Sequence, residues 1–165
     1  MSVHQLTSVL DRLDEENRTI LEWAVSKRQA IMDNQVDVLV AVTNHETRAL
    51  KRIELLEAER VDACQAILSE RGVKTRLNLT ISEITRLVFD PEEKIRLLDT
   101  QSKLNHTLQE LKAANELNQK LIEQSLQFLD YSLDLLAGAP EDQTTYKHPM
   151  KSGGSSRSGL FDTRA

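Results

Sequence analysis

Apolar residues recur at alternating three- and four-residue spacing over most of residues 3–137. This spacing places them on one stripe of an α-helix, because a helix completes a turn about every 3.6 residues. The stripes predict an all-α fold of four helices, at about residues 3–32, 36–71, 80–89 and 91–137. The stripe of the first helix contains Val3, Leu6, Leu10, Leu13, Ile20, Ala24 and Ile31.

Capping residues mark where the predicted helices begin and end. Thr80 and Glu83 have the spacing of a capping box. Asp90 before Pro91 is a second start signal, because a proline at the first helical position gives up no hydrogen bond. Gly138 is the matching stop. The last helix approaches roughly 70 Å at about 1.5 Å per residue. We therefore expect an elongated, coiled-coil-like bundle in which the second helix and this long helix are antiparallel.

The long helix carries a near-heptad stripe that includes two asparagines, Asn115 and Asn118. Polar side chains on a buried stripe are costly without partners, so these residues should set the register of the bundle or be exposed at its end. Additional apolar residues widen the C-terminal half of this stripe: Leu117, Leu121, Leu126 and Phe128. The wider face needs cover from a third helix of the chain, a second copy or another protein's helix.

Residues 139–165 have a different character, since Ser, Gly and Thr dominate there without any period. We therefore predict two parts: a helical domain at 1–138 and a flexible tail at 139–165 that is disordered when alone. Isolated apolar side chains in such a tail are candidate docking points. They are Tyr146, Met150, Leu160 and Phe161.

The charge and hydropathy of the chain narrow the classes of partner. The net charge is −5 and the basic residues are not clustered, which disfavours nucleic-acid binding. No apolar run has the length of a membrane span, and acidic residues stand near the start where a signal peptide would be apolar. These features predict a cytoplasmic protein without membrane insertion.

Candidate catalytic chemistry is sparse in the sequence. Gly72 is the only glycine before residue 138, which disfavours Gly-rich phosphate loops. The four histidines form no Glu-x-x-His pair of the kind that di-iron helical bundles use. The single cysteine, Cys64, lies among apolar residues of the second helix and is interpreted as a core residue. We therefore predict a binding protein with no catalytic residue, metal or cofactor.

Two segments of the chain resemble the FlgN family of flagellar export chaperones. The first, residues 56–60 (LEAER), matches the family's Leu-Glu-x-x-Arg pattern in the second helix. The second is the run at 115–126, NELNQKLIEQSL. There Asn115 and Asn118 fill the two asparagine positions of the family pattern, and the pair at 121–122 fills its apolar positions.

The resemblance implies a cytoplasmic chaperone that binds the C-terminal amphipathic helix of hook–filament junction proteins. Such a chaperone prevents premature assembly and delivers its substrates to the flagellar type III export gate. The resemblance also implies that the tail contacts the membrane-anchored protein of this gate, with Tyr146 as the matching aromatic.

A helix-in-groove mode would suit such a substrate. We place the expected groove on the C-terminal half of the long helix, at Leu108, Leu111, Asn115, Asn118, Ile122 and Leu126. Aspartate at Leu111 and Ile122 should then abolish substrate binding and leave the helical circular dichroism mostly intact. Loss of helicity would instead mark these positions as internal core.

Two other interpretations fit the same stripes. The first is a homodimeric helical scaffold or adaptor unrelated to flagella, and a free chaperone could also form such a homodimer. The second is a secretion chaperone for a different export substrate. The partner discriminates among them, because a scaffold would bury the long-helix face by self-association and would have no affinity for foreign helices.

Overall fold

The computed structural model of the chain describes residues 2–73 and 79–138. Over these ranges it consists of four helices and contains no strand: α1 (Ser2–Met32), α2 (Val36–Glu70), α3 (Ile81–Leu87) and α4 (Pro91–Ala137). The prediction of an all-α fold is confirmed, and each predicted helix boundary lies within two residues of the observed one.

The chain divides into two compact units, residues 1–129 and residues 130–165. In the second unit the described residues are 130–138, which form the exposed last turns of α4 and its terminal glycine. The predicted tail, including Tyr146, lies outside the described residues. Both apolar core clusters belong to the first unit.

Helices α1 and α2 form an antiparallel pair. They are joined through Asn34, whose φ of 52° lies in the left-handed region that asparagine tolerates better than most residues. Three ion pairs bridge the two helices, and residue numbers rise along α1 as they fall along α2. These pairs are Arg12–Glu59 at 2.6 Å, Arg52–Glu16 at 2.7 Å and Lys27–Glu46 at 2.6 Å.

Helix α4 runs parallel to α1, and therefore antiparallel to α2 as predicted. Thr107 donates a hydrogen bond of 2.5 Å to the carboxylate of Asp14. Further along, Asn118 donates a hydrogen bond of 2.8 Å to the carbonyl oxygen of Ala24. The side chains of Thr107, Asp14 and Asn118 are buried. The two hydrogen bonds therefore fix the register between α1 and α4.

The apolar core consists of two clusters of unequal size. The larger one joins the first half of α1 to the end of α2, to α3 and to the start of α4, and it contains fully buried side chains such as Leu6, Leu10 and Ile67. The smaller one contains Ile20, Leu111 and three alanines: Ala24, Ala49 and Ala114. Alanine buries little apolar area. The packing of α1, α2 and α4 around the smaller cluster is therefore more thinly filled with apolar side chains than the packing around the larger one.

Helix α3 begins with the predicted capping box. The hydroxyl of Thr80 accepts a hydrogen bond of 3.3 Å from the amide of Glu83, and the amide of Thr80 donates one of 2.8 Å to the Glu83 carboxylate. The backbone hydrogen bond from Thr80 lowers the pKa of Glu83. The carboxylate half of the box therefore contributes fully above the usual pKa of glutamate, and its contribution is lost as the pH falls through the lowered pKa.

Asp90 caps α4, which permits a test of the local contribution of this cap. Its carboxylate accepts hydrogen bonds of 2.8 Å from the amide of Glu92 and 3.0 Å from the amide of Glu93. Asp90→Ala should lower the free energy of unfolding by about 1 kcal/mol, measured by guanidinium denaturation followed by circular dichroism. Asp90→Asn keeps an acceptor oxygen and should lose less. Equal stability of the wild type and Asp90→Ala would contradict the assigned role.

Candidate functional site

A groove of about 590 Å³ opens beside the smaller core cluster, where α1, α2 and α4 meet. From α1 it is lined by Asn17, Ile20 and Lys27, and from α2 by Glu46, Leu50 and Ile53. From α4 it is lined by Leu111, Asn115, Asn118, Gln119, Ile122 and Glu123. Four of the six predicted groove residues are therefore brought together here.

The position of the groove follows from the distribution of the helices. Helix α3 contributes Ile84 to the larger core cluster, and its C-cap residue Val88 belongs to the same cluster. The smaller cluster draws its described side chains from α1, α2 and α4 alone. Apolar surface is left uncovered at this end, as shown by Leu50, which is 53% exposed at the groove.

Asn118 and Asn115 occupy different environments. Asn118 is buried and binds α1 with both ends of its amide: it donates to Ala24 and accepts a weaker bond of 3.4 Å from Arg28 Nε. Asn118 therefore serves the register between α1 and α4, one of the two roles that its sequence position allows. Asn115 is exposed and lines the groove, so its amide is accessible to a bound molecule.

The four predicted leucine and isoleucine residues also differ in their surroundings. Leu111 is buried in the smaller core cluster with Ile20 and Ala24, although its edge lines the groove. Ile122 is half-buried and forms part of the groove wall. Leu108 and Leu126 are exposed and are absent from the lining of this groove.

The groove also contains an ion pair that the sequence reasoning missed. Lys27 Nζ lies 2.6 Å from Glu46 Oε2, and both side chains are largely shielded, at 21% and 12% exposure. In the sequence, the signal that could have indicated this ion pair is the position of Lys27 on the apolar stripe of α1. At the rim, Gln119 donates a hydrogen bond of 3.0 Å to Glu123. The groove thus combines an apolar wall with amide and carboxylate groups, which suits an amphipathic helix.

The described residues offer little for other chemistry. Within residues 2–73 and 79–138, no group of three or more His, Cys, Asp and Glu residues could hold a metal ion. Burial raises the pKa of the Cys64 thiol, which disfavours the reactive thiolate at neutral pH. Among the described helices, none combines the length and the apolar character needed to cross a membrane.

Residues 1–152 match the family of the FlgN protein. The chain belongs to the FlgN family. The family expected from the sequence is thereby confirmed, and as a FlgN-family protein the chain is a flagellar export chaperone in the general sense. Membership also implies that this FlgN-family chain binds flagellar hook-associated proteins.

The FlgN-family chain is similar to the uncharacterized protein YvyG of Bacillus subtilis (strain 168), with 27% identity over 167 residues that cover 100% of both chains. No solved structure matches the chain significantly.

Proposed function

We propose that the protein is a cytoplasmic chaperone that binds the C-terminal amphipathic helix of hook–filament junction proteins in the groove lined by α1, α2 and α4. In this function it prevents premature assembly of these proteins and delivers them to the flagellar type III export gate. The observation that supports the proposal most is the groove itself, since it opens at the thinly filled end of the packing and includes four of the residues predicted from the sequence.

The groove has the chemistry that such a helix requires. Ile122 on α4 and Leu50 on α2 present apolar side chains on two walls, and Ile53 lines the groove and packs against the smaller core cluster. An incoming helix would bury its apolar anchors against these walls, at three- and four-residue spacing. Its polar flank would meet the amides of Asn115 and Gln119 at the rim.

Apolar surface continues along α4 beyond the groove. Leu126, Phe128 and Leu129 are all more than half exposed. A chaperone that shields the assembly helix of another protein needs such a surface when its substrate is absent. The sequence-predicted role of Leu126 is consistent with this extension of the apolar face.

Delivery to the export gate is assigned to the tail. Tyr146 is the proposed contact with the membrane-anchored protein of the gate, and this assignment rests on the resemblance of the tail. Replacement of this residue would leave substrate binding unchanged, because the groove is built from α1, α2 and α4.

Calorimetric titration of the full chain with the C-terminal segment of each junction protein from the same bacterium tests the substrate. We expect one-to-one binding with a sub-micromolar Kd and a negative heat-capacity change, because apolar surface is buried. Absence of binding to either segment would overturn the assignment. A stable dimer that buries the exposed face of α4 would then favour the scaffold interpretation, and sedimentation would detect it.

A further inference from the structure

A second groove, of about 400 Å³, lies nearer the start of α4. One wall is Ile81, the first residue of α3. The remaining lining comes from α4: Leu98, Gln101, Ser102, Leu104, Asn105 and Leu108. This groove therefore includes Leu108, a predicted site residue that lies on α4 next to the larger groove.

Two rows of residues on α4 connect the two grooves. The first row is Gln101, Leu108, Asn115 and Ile122, at constant seven-residue spacing. The second row is Leu98, Asn105, Lys112, Gln119 and Leu126, with the same spacing. Residues seven apart remain on one side of a helix, since the drift is only about 20° per heptad. We call these two rows the second seam of α4.

The second seam is distinct from the side of α4 that packs on α1. That side is formed by other heptad positions, such as Leu97, Leu111 and Asn118, which are buried. On the second seam, Leu98, Leu108 and Leu126 are 46%, 44% and 55% exposed. The seam is a largely accessible strip that passes through both grooves.

We propose that the substrate helix docks along the whole second seam, from Leu98 to Leu126, and is not confined to the larger groove. This inference rests on the proposed function. The seam spans 29 residues of α4, or about 42 Å. Because its rows repeat every seven residues, the side chains that fill the gaps between them must also repeat at helical spacing. One continuous helix, lying along α4, satisfies this requirement in both grooves.

The seam also specifies the side chains of its occupant. Between its apolar residues lie four uncharged amides: Gln101, Asn105, Asn115 and Gln119. Uncharged polar residues on the substrate helix pair with them best, because an unpaired charge covered at such an interface is costly. Lys112, at the middle of the second row, favours an acidic residue at the facing position. Ile81 of α3 provides an apolar wall at the end of the seam that contains Leu98.

Aspartate at Leu98 tests this longer docking surface at its far end. In titrations of the full chain with the C-terminal segment of a junction protein, Leu98→Asp should raise the Kd about tenfold or more. Ile95→Asp is the matched control, since Ile95 is an exposed aliphatic residue of the same helix outside the second seam. Its Kd should remain within about twofold of the wild type.

The possible outcomes separate this inference from the function on which it rests. If Leu98→Asp behaves as Ile95→Asp while Ile122→Asp prevents binding, the longer surface is wrong and the proposed function stands. If the wild type binds neither junction segment, both are wrong. Hydrogen exchange on the wild-type chain gives a test without substitution. The added segment should slow exchange in α3 as well as at residues 111–123, and unchanged exchange in α3 would overturn the longer surface.

Discussion

Ile122→Asp should prevent binding of the junction-protein segment and leave the chaperone folded. Ile122 is half-buried on the groove wall, outside both core clusters. A carboxylate there stays hydrated in the free protein, but a docked helix would strip its water without providing a partner. We expect the Kd to rise by about 100-fold or more in calorimetric titrations.

Leu117→Asp is the matched control for this experiment. Leu117 is 43% exposed on the same helix but lines neither groove and lies off the second seam. Its replacement should retain wild-type affinity, and both variants should retain the helical circular dichroism. Equal loss of affinity in the two variants would show that charge on α4, and not the groove, controls binding.

Leu111→Asp should act on stability before it acts on binding. Leu111 is only 9% exposed and packs with Ile20 and Ala24 between α1 and α4. Aspartate removes this apolar contact and places a carboxylate where water has little access. The free energy of unfolding should fall by at least about 3 kcal/mol, and the Tm by roughly 10 °C.

Thermal and guanidinium denaturation measure this effect, and Leu108→Asp is its control. Leu108 is 44% exposed on the same helix, so its replacement should change the free energy of unfolding by less than about 1 kcal/mol. Similar stability of the two variants would contradict the burial of Leu111. The structure thus separates two positions that the sequence grouped together as binding residues.

The helices and their caps could be predicted because their determinants are local. Thr80 and Glu83 are three residues apart, and Asp90 is adjacent to the proline that it precedes. Hydrogen bonds over such short distances depend on the identities of a few neighbours and on little else. The same locality explains why the family pattern in the run at 115–126 was recognisable.

The environments of individual residues could not be predicted, because they depend on long-range packing. Leu111 and Ile122 differ by a small rotation about the axis of α4, and only the position of α1 decides which of them enters the core. The two roles allowed for Asn118 were resolved by its bond to Ala24, 94 residues away in sequence. The pair of Lys27 and Glu46 likewise depends on the register that the α1–α2 turn sets.

The alanine-rich smaller cluster has a consequence for the lifetime of the chaperone. Because Ala24, Ala49 and Ala114 bury so little area, the part of the packing that contains the groove is expected to open more readily than the leucine-rich part. A docked helix would supply the missing apolar contacts and stabilise this part by mass action. The bound export substrate would then stabilise the fold of its chaperone. A chaperone without substrate would therefore be degraded more readily than one with substrate bound.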